Sequence, residues 1–309
     1  MSTKQRIAVT GAFGYSGKYI TKKLLTEGHE VITLTGNPNR LDPFNGRVKA
    51  YPFNFDDPDR LVKTLQGVDT LINTYWVRFD YGDKTYQKAV SNSRVLFKAA
   101  REAGVDRLVH VSITNPNAQS PLPYFSGKAV LEEAIEQSGL SYAILRPTVI
   151  FGREDILINN IAWFLRRFPV FPIPGDGEYK VQPIYVEDLA QLAVEAASKK
   201  ENLVINAIGP ETYTFNQLVS MLKSVVGSRT LLINVPPRVA YLLSSIIGRF
   251  VGDVVLTREE VEGLMGNLLV MDSPPAGETK LSDWVRENRQ TLGKRYANEL
   301  SRHYRQIDR

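Results

Sequence analysis

The clearest indication of a fold in this 309-residue chain is the segment Arg6-Ile-Ala-Val-Thr10-Gly11-Ala-Phe-Gly14-Tyr-Ser-Gly17. Its first five residues are typical of a short buried strand that ends at a glycine. A helical pattern follows Gly17 and stops at Gly28, and a second strand is predicted at Glu30–Thr35. A strand, a glycine-rich turn, a helix and a second strand, in this order, predict a βαβ unit.

The three glycines of this turn are spaced as a phosphate-binding loop requires. Gly11 permits a tight turn, Gly14 lets the backbone approach a pyrophosphate, and Gly17 lets the helix pack closely on its strand. The N-terminus of the helix offers free N–H groups to the phosphates. A plain turn before a helix is the alternative, but the order of the elements favours a dinucleotide site.

The residues after the second strand bear on which dinucleotide is bound. An acidic side chain at this place binds the ribose hydroxyls and selects NAD. This chain has Thr35-Gly-Asn-Pro-Asn-Arg40, and its first acidic residue is Asp42. Arg40, or Lys18 on the first helix, can accommodate a 2′-phosphate. We therefore expect NADP to be preferred, with NAD as the alternative.

Strands and helices continue to alternate through the amino-terminal half. This alternation predicts an α/β fold with a Rossmann-type, doubly wound parallel sheet. Ligands of such sheets bind outside the carboxyl ends of the strands. The further strands are predicted at 48–53, 70–74, 107–111, 140–147 and 203–208, and the helices between them at 57–66, 83–104, 124–139 and 187–197.

A candidate acid/base group follows the fifth strand. Ser112 lies just past the end of that strand, and Tyr124 and Lys128 share one face of the next predicted helix. A lysine ammonium favours the phenolate, so we expect Lys128 to lower the pKa of the Tyr124 phenol. With Ser112 orienting a carbonyl, the three residues could serve hydride transfer at a carbon that bears oxygen. A surface role for Tyr124, with Lys128 paired to Glu132, is the alternative.

The composition excludes several classes of protein. With 43% hydrophobic and 23% charged residues, the chain is typical of a soluble globular protein. It has no cysteine, which excludes disulfides, cysteine nucleophiles and thiolate metal sites. The net charge of +5 comes from scattered basic residues, so we expect no nucleic-acid partner. No metal site is expected either, because His29, His110 and His303 lack metal-ligand spacing.

The expected compartment is the cytoplasm, because Met1–Arg6 runs directly into a strand with no secretory leader. The most apolar stretch, Val239–Val251, is too short to cross a bilayer. We interpret it as a core helix, with a dimer contact, a membrane patch or a substrate lid as alternatives.

Elsewhere in the carboxy-terminal half, a strand is predicted at Tyr179–Val186, and a charged helical tail begins at Ser282. Capping boxes are predicted at Thr214-x-x-Gln217 and Thr257-x-x-Glu260.

Taken together, these residues resemble the short-chain dehydrogenase/reductase superfamily, in its extended or atypical branch. Within this branch, the chain is similar to NAD-dependent epimerase/dehydratase-like proteins related to the 39-kDa subunit of respiratory complex I, and to NmrA-like regulators. The resemblance covers residues 6–210. It rests on the glycine loop, on Ser112, Tyr124 and Lys128, on the strand Leu140–Pro147 with Phe151-Gly152 after it, and on Pro183-Ile-Tyr-Val-Glu-Asp188.

The resemblance implies a division into two domains and a set of site residues. It implies a Rossmann domain over 1–150 and a smaller α/β substrate-binding region over 151–309, with about 178–210 returning to the Rossmann domain. By position, the catalytic residues are Ser112, Tyr124 and Lys128. The cofactor-binding residues are Gly11, Phe13, Gly14, Gly17, Asn37, Arg40, Asn54, Phe55, Thr74, Pro147 and Val149.

The implied function is an NAD(P)-dependent oxidoreductase that acts on a small-molecule substrate. One alternative is a sugar-nucleotide epimerase or dehydratase that retains its cofactor. Another is a non-catalytic NADP-binding sensor or scaffold, because Ala89 stands where many active members have asparagine. Association with a membrane or with a respiratory complex, and the choice between monomer and homodimer, stay open.

Overall fold

The computed structural model describes residues 4–304, in which the chain forms two compact units. Unit 1 consists of the residues up to Pro147 together with Val186–Ala207. Unit 2 consists of Thr148–Tyr185 together with the residues from Ile208 onward. The chain therefore passes from one unit to the other three times, after residues 147, 185 and 207.

Unit 1 is built on a seven-stranded sheet in which every neighbouring pair of strands is parallel. The strand order is β11-β6-β5-β4-β1-β2-β3. This order confirms the predicted Rossmann-type sheet. The strands are β1 (Arg6–Thr10), β2 (Glu30–Thr35), β3 (Lys49–Pro52), β4 (Thr70–Asn73), β5 (Arg107–Val111), β6 (Ser141–Pro147) and β11 (Leu203–Ala207).

Burial explains why the central strands form. All the residues of β4 and β5 are buried, and so is β1 after Arg6. Runs of this kind, apolar on both faces, are typical of parallel sheets that carry helices on each side. The helices of unit 1 are α1 (Tyr15–Thr26), α2 (Pro58–Leu65), α3 (Tyr86–Glu102), α4 (Pro123–Glu136) and α6 (Val186–Ser198).

Unit 2 is a smaller α/β assembly around its own buried core, in which Phe151 and Trp284 make an edge-to-face contact. Both predicted capping boxes are present, at the starts of α7 and α9. Its strands are β7 (Ile150–Phe151), β8 (Val170–Pro174), β9 (Lys180–Val181), β10 (Ile184–Tyr185), β12 (Tyr213–Thr214) and β13 (Leu231–Val235). Its helices are α5 (Leu157–Leu165), α7 (Phe215–Val225), α8 (Pro237–Val251), α9 (Arg258–Met265) and α10 (Leu281–Glu287), followed by a π-helical turn at Leu300–Tyr304.

The single strand predicted at Tyr179–Val186 is wrong. The structure has two short strands there, which pair with different partners: β9 pairs with β12, and β10 pairs with β7. Pro183 lies between them and has no N–H to donate to a ladder, which explains the interruption. The helical tail predicted from Ser282 is likewise only partly helical, because α10 ends at Glu287 and turns follow it.

The interpretation of Val239–Val251 as a core helix is also wrong. This segment is α8, and only its small residues Ala240, Ser244 and Gly248 are buried. Its large apolar side chains are mostly exposed. Composition identified the helix correctly, but it could not reveal which side of the helix faces the protein. Within residues 4–304, no helix is long and apolar enough to cross a membrane.

Candidate dinucleotide site

The turn between β1 and α1 has the tight geometry predicted for a phosphate loop. Gly11 adopts a positive φ of 67°, and its N–H donates to the Leu34 carbonyl at 2.8 Å. The N–H of Gly14 in turn donates to the Gly11 carbonyl at 2.8 Å. A Cβ at Gly17 would lie 2.3 Å from the Gly11 carbonyl oxygen, so only glycine fits there.

Thr33 fixes this turn to the neighbouring strand, a role that the sequence analysis did not assign. Its hydroxyl accepts the Ala12 N–H at 3.0 Å and donates to the Val9 carbonyl at 2.8 Å. Both bonds are buried, so they are shielded from competing water. A threonine in the middle of an otherwise apolar strand was the available signal.

The N-terminus of α1 favours an anion. Gly14 occupies the N-cap position without a side-chain cap, and the first turn contains no acidic residue. The N–H groups of the first turn of a helix have no partners inside the helix, and the helix dipole places positive charge there. Phe13 is buried beside Phe44, with ring centroids 6.3 Å apart, and this packing stabilises the glycine turn.

The end of β2 presents a cation and no free carboxylate. Asn37 and Arg40 are both exposed there. Asp42, the first acidic residue after the strand, accepts the N–H groups of Phe44 and Gly46, each at 2.7 Å. Its carboxylate therefore stabilises its own loop, and Arg40 is the charged side chain that remains at the strand end.

Aromatic side chains line the ends of β3 and β4. Phe53 and Phe55 stack with centroids 4.7 Å apart, and Tyr75 contacts both rings. Asn54, between the two phenylalanines, has a positive φ of 48°, which turns the chain so that both flanking rings meet. The Tyr75 hydroxyl accepts from Asn92, and burial raises the pKa of this phenol. Flat aromatic surfaces of this kind suit a heterocyclic base.

A buried polar network ties together the carboxyl ends of the three central strands. Thr10 donates to Asn73, whose amide nitrogen lies 2.9 Å from Nδ1 of His110. Thr74 completes the network, because its N–H donates to the Thr10 hydroxyl and its own hydroxyl donates to the Thr10 carbonyl. Burial and the nearby Lys128 hold the pKa of His110 well below its usual range, so its imidazole is neutral and structural.

Ser112 is held by a carboxylate that the sequence analysis did not assign to the site. Its hydroxyl donates to Glu132 at 2.5 Å, and the same carboxylate forms an ion pair with Arg146, also at 2.5 Å. Ser112 is only 3% exposed. The Ser112 hydroxyl proton is thus already engaged, and this oxygen can offer a ligand only its lone pairs.

Lys128 is buried beneath an indole ring. Its Nζ donates to the Val111 carbonyl at 2.7 Å and lies 4.5 Å from the centroid of the Trp76 ring. Burial lowers the pKa of this amine to about 7. Trp76 also covers Gly127, where a Cβ would meet the ring at 2.9 Å, and this explains a glycine in the middle of α4.

Tyr124 lies on the first turn of α4 and is half-buried. Its ring meets those of Trp76 and Tyr86 edge-on, with centroid distances of 5.7 Å and 5.9 Å. These rings and the buried Ala89 belong to one hydrophobic cluster, which sets the position of Tyr124. Glu132 forms its direct ion pair with Arg146, and it acts on Lys128 as a nearby charge that opposes the lowering of the lysine pKa.

Two predicted cofactor residues belong to different units. Pro147 ends β6 in unit 1, where its buried carbonyl accepts the Thr114 N–H at 3.0 Å. Val149 belongs to unit 2, and its carbonyl accepts the Ile184 N–H at 2.9 Å. The parallel sheet brings the remaining predicted residues to one edge, the carboxyl ends of its strands.

Among residues 4–304 no group of three side chains has the composition and spacing of a metal site.

Comparisons with known proteins agree with this architecture. The rat mitochondrial NADH dehydrogenase [ubiquinone] 1 alpha subcomplex subunit 9 is 28% identical over 289 residues, which cover 86% of this chain and 73% of the relative. The Arabidopsis thaliana protein of the same name is 25% identical over 71% of this chain. The present chain spans only 57% of the length of that plant relative.

Solved structures match the fold over almost their whole length. The triphenylmethane reductase of Citrobacter sp., complexed with NADP(H), has a TM-score of 0.75 and 18% identity, covering 91% of this chain and 99% of the reductase. The NADPH-dependent quinone oxidoreductase of Escherichia coli has a TM-score of 0.74 and 22% identity, with the same coverage. The model of the NmrA-like family matches residues 3–284. The chain therefore belongs to the NmrA-like family.

Proposed function

We propose that unit 1 binds NADP(H) and that nucleotide binding is the primary function of this chain. The observation that carries the proposal is the tight glycine turn before α1, after which the helix starts without a side-chain cap and without an acidic residue in its first turn. These residues fit a pyrophosphate, because its charge is favoured at such a helix start. The nicotinamide nucleotides named for two similar structures support the same class of ligand.

Each part of the nucleotide has residues suited to it. Gly11, Gly14 and the first turn of α1 would hold the pyrophosphate. Arg40, with Asn37 beside it, would hold a 2′-phosphate, since the acidic residue that would repel this group is engaged in its own loop. The rings of Phe53, Phe55 and Tyr75 would flank the adenine, with Asn54 and Thr74 as polar neighbours.

Hydride transfer is the second candidate function, and the half-buried Tyr124 phenol favours it. The nucleotide would supply or accept the hydride, while Tyr124 would exchange a proton with the substrate oxygen. Lys128, whose own pKa is lowered to about 7, would in its protonated form favour the phenolate form of Tyr124. Because Ser112 already donates to Glu132, its oxygen suits a substrate hydroxyl, which donates, better than a carbonyl, which accepts.

Calorimetric titration tests nucleotide binding directly. We expect wild type to bind NADPH more tightly than NADH, and Arg40→Gln to weaken NADPH binding by about tenfold, roughly 1.4 kcal/mol, with little effect on NADH. Arg60→Gln, at an exposed arginine on α2, is the matched control and should bind as wild type does. Failure of wild type to bind either nucleotide would refute the proposal.

The second candidate requires a separate measurement. Absorbance at the reduced nicotinamide band would be followed with aldehydes, ketones, quinones and alcohols, for wild type and Tyr124→Phe. Turnover that Tyr124→Phe abolishes, with NADPH binding intact, would establish hydride transfer. Tight binding without turnover would instead support a sensor or scaffold, or an epimerase that retains its cofactor, which product analysis with nucleotide sugars would identify.

A further inference from the structure

Helix α8 uses its small residues, not its large ones, to pack on unit 2. Ala240, Ser244 and Gly248 are the buried positions, each four residues after the last. At Gly248 the turn that follows α8 folds back so closely that a Cβ would lie 2.6 Å from the Asp253 carbonyl oxygen. A normal surface helix buries its large apolar side chains, and α8 reverses this arrangement.

The large apolar side chains of α8 form a second stripe that points to solvent. After Val239, the other members lie three, four, seven and eleven residues further along the chain. This spacing places all of them along one side of a helix. We call them the apolar stripe. Its members and their exposed fractions are Val239 at 40%, Leu242 at 60%, Leu243 at 36%, Ile246 at 47% and Phe250 at 86%.

Positive charge accompanies the apolar stripe. Arg238 and Arg249 are exposed, and they lie three helical turns apart on one flank of the stripe. From Thr212 to Gly252 the sequence contains four basic residues and no acidic one. No ion pair involves Arg229, Arg238 or Arg249 within the part of the chain that the structure describes. These arginines are therefore not held in ion pairs with carboxylates.

We propose that α8 docks on the surface of an anionic lipid bilayer, with the apolar stripe inserted at the interface and its arginines at the level of the lipid phosphates. Such helices combine an apolar side with basic residues and lie in the plane of the membrane. The 15 residues of α8 extend about 22 Å, which suits a helix that lies flat and is too short for a span of about 30 Å.

A second copy of this chain fits the stripe less well. In an antiparallel pair of α8 helices centred on the stripe, Arg238 of each copy would approach Arg249 of the other copy. Isologous contacts repeat such pairs, and like charges at a contact oppose association. An anionic headgroup surface, in contrast, complements both arginines at once.

Vesicle sedimentation of the full chain tests the proposal. Phosphatidylcholine vesicles and vesicles of phosphatidylcholine with phosphatidylglycerol would be compared at low and high salt. We expect binding to the anionic vesicles only, weakened by salt, and reduced at least about tenfold by Leu242→Glu or Phe250→Glu. Leu231→Glu, at an exposed leucine on β13 outside the stripe, is the matched control and should bind as wild type does. Equal binding to both kinds of vesicle, or equal loss in the control, would overturn the proposal.

A second measurement keeps the proposal testable if a glutamate variant misfolds. Because the chain has no cysteine, Ile246→Cys accepts a single environment-sensitive fluorophore. We expect anionic vesicles to shift its emission to shorter wavelength and brominated lipid to quench it, whereas a label at Leu231→Cys should respond little. Light scattering would be run alongside. Concentration-dependent dimers that Leu242→Glu dissociates would show that a second copy covers the stripe, and the proposal would then be rejected.

Discussion

Single residues determine what the site of unit 1 can do. Ser112 and Lys128 were predicted as catalytic residues from their spacing and context, and the structure engages both of them inside the protein. The Ser112 hydroxyl donates to Glu132, and the Lys128 ammonium lies over the Trp76 ring. Neither partner could be inferred from the spacing alone, because each contact depends on how α4 packs against β5 and the segment after β4.

The Glu132–Arg146 pair predicts a large effect of a small substitution. Glu132→Gln removes a buried charge and leaves Arg146 without its partner, which we expect to lower the free energy of unfolding by about 3 kcal/mol. Urea denaturation measures this change. The double variant Glu132→Gln/Arg146→Met should recover part of the loss, because it leaves no unpaired cation. A double variant as unstable as the sum of the two single variants would contradict this account.

Lys128 predicts a specific pH dependence of stability. Its pKa is about 7 in the folded protein and 10.5 in the unfolded chain, so the unfolded state binds more protons between these values. The free energy of unfolding should therefore rise from pH 7 to pH 10 through this residue, and the benefit is lost as the pH falls through 7. Lys128→Met should flatten the rise in urea denaturation series. Lys63→Met, at an exposed lysine of α2, should leave it intact.

The starts of α7 and α9 were predictable because capping signals are local, whereas the orientation of α8 was not. The capping boxes at Thr214 and Thr257 depend on residues three apart, and both are present. The side of α8 that is buried depends on packing against elements distant in sequence, such as β8. Hydrophobicity alone favoured burial of the large residues, and this was wrong.

The side-chain cap at the start of α7 should contribute measurably to stability. Thr214→Ala removes the hydroxyl that accepts the Gln217 N–H, and we expect it to lower the free energy of unfolding by about 1 kcal/mol. Ser224→Ala, on the exposed side of the same helix, should have an effect near zero. Equal losses in the two variants would show that the capping bond contributes nothing measurable.

At the scale of the molecule, the parallel order of the strands was predictable from the alternation of strands and helices. The short strands of unit 2 were not, because segments such as Ile150–Phe151 and Ile184–Tyr185 contain too few residues for a periodic signal. The glycine turn was predictable because glycine is required there by backbone geometry. Thr33 and Trp76 were missed because their roles arise from tertiary packing.

Nucleotide binding should stabilise unit 1 in a way that can be located in the chain. At NADPH concentrations near 100 times Kd, we expect about 2.7 kcal/mol of added stability. Hydrogen exchange followed by mass spectrometry should show slowed exchange in peptides from the glycine turn and from 36–40. Peptides covering Arg258–Met265 serve as the internal reference. If the glycine turn and the reference gain equal protection, this account of the site is wrong.

The repeated passage of the chain between its units has a consequence during synthesis. Strand β11 pairs with β6, yet the whole segment Thr148–Tyr185 of unit 2 is translated between them. Until residues 203–207 leave the ribosome, β6 is an open edge of the nascent sheet, and such edges invite pairing with other chains. A pause in translation while residues 203–207 are still inside the ribosome should therefore increase aggregation of the nascent protein, whereas a pause after they have emerged should not.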